Sequence, residues 1–287
     1  MKKLLSIKDI SWISKVSELI DGIILSDSYH GSQYAFAFDK EQLKEGIKQA
    51  KENNLICGIL MTRMYTDKEL DEAKNYLKWL KEESVDLIYY QDPAIYILAE
   101  ELKMSHLLVY DPDTLLTNGY DMQEVNKKGI SHGVVSKDLT LDEIIEILDL
   151  VNGKSEVIIF GYLKLSSSKR KFIQNYCDEI NILNTASKKD DVYLIESTRE
   201  GKMPIFEDDQ GTFVYSDFIL CAYNEFNKLK DHNLEYARID SHFLDFDVIY
   251  DFLLLLSGKV THDNFIKKYR ELPFSSGYMY TKTNLVK

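Results

Sequence analysis

The strongest constraint on the fold is a regular alternation of short apolar runs with longer amphipathic segments through the first 160 residues. The run at residues 55–61 contains no charged residue, which is typical of a strand buried on both faces. The amphipathic segments begin with helix-capping residues, such as Asp39 and the pair Thr66 and Glu69, whose spacing matches a capping box. Strands separated by helices in this way indicate parallel βαβ units.

Eight strands are expected from this pattern, at residues 4–7, 22–25, 55–61, 85–90, 106–110, 133–136, 156–160 and 236–239. The sequence therefore predicts an α/β fold, a (β/α)8-type TIM-like barrel, with a doubly wound open sheet as the alternative. The rhythm breaks after the seventh strand, where extended segments surround a turn at 208–211. This predicts an antiparallel β insertion at about residues 191–215, followed by helices at 219–229 and 246–256. Residues 1–287 are expected to form a single domain, because no linker or low-complexity tract interrupts them.

Charge and cysteine usage limit the class of protein. The formal net charge of −12 opposes general affinity for nucleic acid, although it allows a local basic patch. Cys57, Cys177 and Cys221 lie far apart in the sequence and form no C-x-x-C pair, which favours a reducing compartment. The first residues do not resemble a signal peptide, and the apolar stretch at 248–256 is far shorter than the roughly 20 residues that span a bilayer. A soluble, cytoplasmic protein without membrane contact is expected.

The candidate site follows from the architecture, because parallel-strand barrels place their sites at the carboxyl ends of the strands. The polar residues that follow the predicted strands include Arg63, Asp92, Asp111, Lys137, Arg238 and Asp240. Asp92 and Asp111 each precede a proline, so the favoured interpretation of each is a helix cap or turn residue, with a role in the site as the alternative. A metal site at Asp240 and His242 is a further possibility, and the metal itself is unknown.

A basic segment follows the seventh predicted strand. Gly161 ends that strand, and residues 164–171 include three serines together with Lys169 and Arg170. This combination could cradle an anion at the start of a helix, and an exposed basic turn is the alternative. The predicted insertion carries the acidic residues Glu196, Glu200, Glu207, Asp208 and Asp209. They could share protons or bind a cation, or they could belong to an exposed hairpin.

Several short motifs occur in a combined order that resembles the collagenase-like peptidase family (U-32), above all its short bacterial members. They are Gly161 after its strand, Lys169-Arg170, Arg199-Glu200, Pro204-Ile205, Glu207-Asp208 before Gly211-Thr212, and Arg238-Ile239-Asp240. The tail from Ser276 to Thr283 also resembles the ending of that family. The resemblance covers nearly the whole chain and implies a barrel-like amino-terminal half.

The resemblance also implies activities. Family members are usually labelled peptidases, and relatives are implicated in hydroxylating tRNA or a quinone precursor, several of them with an iron–sulfur cluster. Where cluster-bearing relatives place cysteine after the strand that ends at Gly161, this chain has residues 164–171 without cysteine. Cys177 and Cys221 are too few for a four-cysteine site, so an iron–sulfur cluster is not expected.

Three functional hypotheses follow. In the first, a hydrolytic peptidase-family protein activates water through Glu156, Glu207, Asp208 or Asp240, directly or through a metal, and Arg170 or Arg238 stabilises the oxyanion. Its substrate would contact Gly161, Lys169, Arg170, Arg238 and Asp92. The sequence spacing does not pair a serine or cysteine nucleophile with a histidine base.

In the second hypothesis, the protein is a non-proteolytic partner in tRNA wobble-uridine hydroxylation, acting with a longer family paralogue, and the segment 164–171 contacts RNA phosphate. In the third, it is a barrel enzyme for an anionic metabolite.

Overall fold

The computed structural model describes residues 1–31, 37–187, 189, 191–197 and 201–282. Arg199, Glu200 and Thr283, which belong to the motifs above, lie outside the described residues. In the described part of the chain, no helix is both long enough and apolar enough to span a membrane.

A closed barrel of parallel strands forms the centre of the molecule. The twelve strands of the described residues are β1 (Lys2–Ser6), β2 (Gly22–Leu25), β3 (Ile56–Met61), β4 (Leu87–Tyr90), β5 (Leu108–Tyr110), β6 (His132–Val134), β7 (Ser155–Ser168), β8 (Tyr193–Leu194), β9 (Met203–Asp208), β10 (Gly211–Cys221), β11 (Tyr236–Ile239) and β12 (Phe274–Ser275). Strands β1 to β7 pair in sequence, and β11 closes the barrel by pairing with both β7 and β1. The predicted (β/α)8-type barrel is therefore confirmed.

Helices connect the strands and cover the outside of the barrel. In the described residues they are α1 (Ile13–Val16), α2 (Lys40–Glu52), α3 (Leu70–Glu83), α4 (Pro93–Glu101), α5 (Gly119–Lys127), α6 (Leu141–Leu150), α7 (Phe172–Glu179), α8 (Tyr223–Leu229), α9 (Phe246–Leu256) and α10 (His262–Lys268). The predicted caps are present. Asp39 and Gln42 exchange hydrogen bonds at the start of α2, and a capping box at Thr66 and Glu69 precedes α3. Because these caps depend on residues three positions apart, they can be read directly from the sequence.

Outside the barrel, β7 continues to Ser168 and pairs antiparallel with β10. Strand β10 pairs antiparallel with β9, and β9 pairs antiparallel with β8. We call residues 161–221 the arm. The predicted antiparallel insertion is confirmed, but its predicted extent is wrong at both ends. Residues 161–168 form a strand instead of a basic loop, and residues 219–221 end β10 instead of beginning a helix. Alternation of Leu163 and Leu165 with polar neighbours is a strand signal of period two, which the lysines and serines obscure.

Gly161 marks the point where β7 leaves the barrel. Its φ is +119°, and a β-carbon there would lie 2.4 Å from the carbonyl oxygen of Asp240. Side chains avoid such a backbone conformation and would clash at such a distance. Glycine therefore allows the arm to start directly beside Asp240, at the carboxyl end of β11.

Candidate functional site

A narrow cleft lies at the carboxyl ends of β5, β6, β7 and β11, and we call this end of the barrel the mouth. Its charged lining consists of Asp111, Asp113, Lys137, Lys164, Arg238 and Asp240, and Tyr215 lines it from the arm. The cleft measures about 30 Å³, which is room for about two water molecules. The predicted site residues Arg238 and Asp240 therefore meet at the mouth, together with Asp111.

Arg238 is the central cation of the cleft and is 2% exposed. Its Nη1 lies 2.8 Å from Asp111 Oδ2, and its Nη2 lies 3.4 Å from Asp240 Oδ2. A third carboxylate oxygen, Glu156 Oε1, lies 3.9 Å from Nη1. Charge-assisted hydrogen bonds of this kind fix both the position and the orientation of a guanidinium. Arg238 is thus a positioned positive charge at the floor of the cleft.

Glu156 lies inside the barrel, below the cleft, with no exposed surface. The Tyr89 hydroxyl donates to Glu156 Oε2 at 2.8 Å, and His132 Nε2 lies 3.1 Å from the same oxygen. Burial, and secondarily Glu156, raises the pKa of Tyr89 well above its ordinary value, so the phenol stays protonated and can donate. The structure brings Glu156 near Arg238 but does not place it in the cleft.

Asp240 is held by the residues around it. The Ser6 hydroxyl donates to Asp240 Oδ1 at 2.8 Å, and the Ser241 amide donates to Ser6 Oγ at 2.9 Å. The His242 ring is buried and stacks on Tyr215 with centroids 4.7 Å apart. Burial, with a smaller contribution from Lys8, lowers the pKa of His242 well below its ordinary value, so the ring is neutral at pH 7.

Metal ligation at Asp240 and His242 gains no support from the geometry. Among the described residues there is no group of three or more His, Cys, Asp or Glu side chains placed to hold a metal ion. A protein metal site ordinarily uses at least three such ligands. The hydrogen bonds of Asp240 instead join β11 to β1 at the mouth.

Asp113 is a cleft residue that the sequence analysis missed. Its Oδ2 lies 2.8 Å from Lys164 Nζ, and its Oδ1 lies 3.8 Å from Lys137 Nζ. Burial acts to raise the pKa of Asp113, but Lys164 and Lys137 together outweigh it and hold the pKa below its usual value. The signal for Asp113 was its place two residues after Asp111, since both follow the same strand.

Glu207 lies away from the cleft and stabilises α7. Its carboxylate accepts hydrogen bonds from the amides of Ile173 at 2.7 Å and Gln174 at 3.0 Å. It also accepts from the hydroxyls of Ser187 at 2.9 Å and Thr212 at 2.7 Å. The anion at this helix start is therefore Glu207 itself, and the anion-binding role of the basic residues Lys169 and Arg170 stays a prediction.

The turn after Glu207 is also distant from the mouth. Asp208 Oδ1 accepts from the Gln210 amide at 2.7 Å, within the turn between β9 and β10. Glu207 pairs with Thr212, which pairs with Ser168, seven residues along β7 from Gly161. At about 3.3 Å per residue, this is about 20 Å along the strand. The structure does not bring Glu207 and Asp208 together with Asp240.

Asp92 has the structural role that the sequence left open. Its carboxylate accepts from the Ala94 amide at 3.0 Å as the N-cap of α4, and from the Tyr65 amide at 2.8 Å. Arg63 has a local role as well, since it forms an ion pair with Glu69 and lies 3.9 Å from the ring centroid of Tyr29.

Lys169 and Arg170 are exposed beyond the end of β7. Hydrogen bonds from Thr66 contribute most to lowering the pKa of Glu69, and Lys169 adds to the effect. Lys169 therefore lies close enough to Glu69, which follows β3, to act on it electrostatically.

A serine, a histidine and a carboxylate form one hydrogen-bonded series that the sequence spacing did not reveal. Ser131 Oγ lies 3.0 Å from His132 Nδ1, and His132 Nε2 lies 3.1 Å from Glu156. The series stands at the start of β6, at the end of the barrel opposite the mouth. His132 has no exposed surface and stacks on Tyr236 with centroids 4.4 Å apart. Catalytic residues of such barrels occupy the mouth, whereas this end contributes to stability.

The fold and the motifs agree with a sequence comparison. A model of the family described as peptidase family U32 matches residues 15–255. The chain belongs to peptidase family U32. The tRNA hydroxylation protein P2 of Bacillus subtilis (strain 168) is 26% identical over 220 residues, covering 76% of this chain and 71% of that relative. A solved structure, the U32 peptidase Mk0906, superposes with a TM-score of 0.52 at 14% identity, covering 84% of this chain and 92% of its own. The structural likeness supports the fold alone.

The cysteines of this U32 protein do not fit a cluster of the kind that some relatives carry. Cys57 is on β3, Cys177 on α7 and Cys221 at the end of β10. A four-thiolate iron–sulfur site needs four converging cysteines, and the chain has three.

Proposed function

We propose that this U32 protein takes part in tRNA hydroxylation at the wobble uridine, as a non-proteolytic partner of a longer family paralogue. The observation that carries the proposal is the likeness to tRNA hydroxylation protein P2, which spans 220 residues and about three quarters of this chain. Family membership by itself supports a peptidase equally well, so the choice depends on the residues of the site.

The charge distribution of the arm supports contact with RNA. Lys169, Arg170 and Lys171 are consecutive and exposed at the end of β7. Lys171 lies 3.3 Å from the exposed Asp209, and solvent weakens such a pair to below about 1 kcal/mol. Because the rest of the chain is acidic, RNA phosphate is repelled elsewhere and attracted to this basic end.

Three of the four carboxylates of the peptidase hypothesis are already used by the fold. Asp240 binds Ser6 and Arg238, Glu156 is buried among Tyr89 and His132, and Glu207 accepts four hydrogen bonds around α7. A general base must reach the proton that it removes. These contacts favour a supporting role for the three carboxylates over activation of a water molecule.

The proposal is tested in cells by mass spectrometry of tRNA. Deletion of the gene is expected to remove hydroxylated wobble uridine, and the wild-type gene is expected to restore it. Unchanged hydroxyuridine in the deletion strain would contradict the proposal.

Binding to RNA is tested separately with purified protein and bulk tRNA. The double variant Lys169→Ala/Arg170→Ala is expected to bind about ten-fold more weakly and with a shallower salt dependence, since each lost phosphate contact removes counterion release. Lys267→Ala/Arg270→Ala, which removes the same charge from exposed positions near α10, is the matched control. Wild-type binding no tighter than that of an unrelated acidic protein would exclude direct contact with tRNA.

Hydrolysis is tested by a peptidase assay on wild-type protein and on Glu156→Ala, Glu207→Ala, Asp208→Ala and Asp240→Ala. Turnover in the wild type that disappears in one correctly folded variant would favour the peptidase hypothesis. Turnover unchanged in all four variants would reject the predicted catalytic carboxylates.

A further inference from the structure

Two lysine ammonium groups lie nearly buried at the mouth. The Lys137 side chain is 5% exposed and the Lys164 side chain 10% exposed, and both line the cleft above Arg238. Removing an ammonium group from water is costly unless an anion compensates it. The position of these lysines therefore requires a negative charge in the cleft.

Asp113 supplies that charge in this structure. It lies in the loop between β5 and α5 and has a left-handed backbone conformation, with φ of +63°. Its carboxylate is 2.8 Å from Lys164, a good ionic hydrogen bond, but 3.8 Å from Lys137. The longer distance exceeds that of a hydrogen bond, so Asp113 compensates Lys137 incompletely.

The cleft leaves little room for a ligand beside Asp113. At about 30 Å³, it holds about two water molecules in addition to the Asp113 side chain, which is less than the four oxygens of a phosphate ion need. We propose that Lys137 and Lys164 form a binding site for a small carboxylate or phosphate anion, and that Asp113 occupies this site until the ligand displaces it.

Differential contacts explain how displacement can be favourable. A ligand shifts a conformational equilibrium only by the interactions that it makes in one state and not in the other. An anion with two or more free oxygens can bind Lys164 and also reach Lys137 at hydrogen-bond distance, which Asp113 does not. Asp113 lies outside the barrel strands, in the loop between β5 and α5, and Leu115 in the same loop is 65% exposed, so displacement of the Asp113 side chain does not require a barrel strand to move.

The inference does not rest on the proposed role in tRNA hydroxylation, since the probes are small anions and no RNA is present. Isothermal titration calorimetry is carried out on the whole protein with inorganic phosphate and, separately, with succinate, in chloride buffer of matched ionic strength. Asp113→Asn keeps the size of the side chain and removes its charge. It is expected to bind at least one of the two anions with a Kd at least ten-fold below that of the wild type.

The control variants separate the site from general charge effects. Asp209→Asn, which removes an acidic charge that is 72% exposed on the arm, is expected to bind like the wild type. Asp113→Asn/Lys164→Met is expected to lose the gain. Binding of phosphate but not of succinate would identify a phosphate site. Binding of succinate but not of phosphate would identify a carboxylate site.

Three results would overturn the inference: equal Kd values for Asp113→Asn and the wild type, an equal gain in Asp209→Asn, or a gain that survives Lys164→Met. If Asp113→Asn does not fold, the comparison of Lys164→Met with the wild type still tests the proposal. High phosphate should then raise the melting temperature of the wild type above its value in matched chloride, and should not do so in Lys164→Met. Equal rises in both proteins would contradict the proposed site.

Discussion

The Gly161 backbone passes so close to Asp240 that a β-carbon at position 161 would lie 2.4 Å from the Asp240 carbonyl oxygen. The start of the arm therefore lies directly against the end of the strand that carries Arg238, where the Asp240 amide also donates to the Phe160 carbonyl at 2.8 Å. The close approach makes the geometry of the cleft depend on a residue without a side chain.

Gly161→Ala is therefore expected to destabilise the protein by about 3 kcal/mol or more, through steric overlap with Asp240 and an unfavourable φ. Gly258 has a φ of +75°, and no described atom lies within 4 Å of the place of its β-carbon. Gly258→Ala should therefore lower the free energy of unfolding only through the unfavourable backbone conformation, by about 1 kcal/mol. Urea unfolding of both variants measures the difference, and equal losses would show that the contact with Asp240 is unimportant.

Glu207 is expected to matter for the stability of the arm. Glu207→Ala leaves two α7 amides and two hydroxyls without their acceptor, which should cost about 3 kcal/mol. Hydrogen exchange of the Ile173 and Gln174 amides should accelerate, whereas exchange in the barrel strands should not. Asp208→Ala, next to it in the turn, is the control and should cost about 0.5 kcal/mol. Fast exchange in both variants would argue against the capping role.

The fold was largely predictable because its determinants are local. Caps such as Asp39 and Thr66 and the apolar runs of the barrel depend on neighbours within a few residues. Residues 161–168 were not recognised as a strand because their partner in β10 is 44 or more residues further along the chain. Charge and serine content favoured a loop, and only long-range pairing with β10 overrides that preference.

The candidate site was predictable in part for the same reason. Arg238 lies near the carboxyl end of β11 and Asp240 directly follows it, and their place in a barrel is fixed by topology. The role of Glu207 could not be seen, since its amide donors on α7 lie 33 and 34 residues earlier in the sequence. The compensation of Lys137 and Lys164 by Asp113 likewise joins residues that are far apart in the sequence: Asp113 follows β5, Lys137 follows β6 and Lys164 lies on β7.

Two buried histidines should make the protein less stable in mild acid. Burial lowers the pKa of His242 well below 6.5, and burial, opposed by Asp27, lowers that of His30 to about 4. Well above pH 6.5 each histidine is neutral in the folded and in the unfolded protein, so its titration does not change the free energy of unfolding. As pH falls below 6.5 the unfolded chain takes up protons that the folded chain does not. At pH 5 the loss is about 2 kcal/mol for His30, and His242 contributes a loss of the same sign.

Urea unfolding at pH 7 and pH 5 measures this loss. His242→Phe keeps an aromatic ring against Tyr215 and removes the titration, so its stability should fall less between the two pH values than that of the wild type. Only the change with pH is compared, because the substitution also alters the packing at pH 7. A wild-type protein equally stable at both pH values would mean that the buried histidines bind protons in the folded state.

Substitutions in the hydrogen-bonded series of Ser131, His132 and Glu156 show whether its role is structural or catalytic. If it is structural, Ser131→Ala should cost about 1 kcal/mol and leave tRNA hydroxylation in cells unchanged, since Ser131 contributes one hydrogen bond at the amino-terminal end of the barrel. His132→Ala should cost about 4 kcal/mol, because it creates a cavity and removes a partner from the fully buried Glu156. Unfolding and complementation measure the two effects. Peptide hydrolysis that is present in the wild type and lost in a stable Ser131→Ala variant would instead identify the series as a nucleophile with its base and orienting acid.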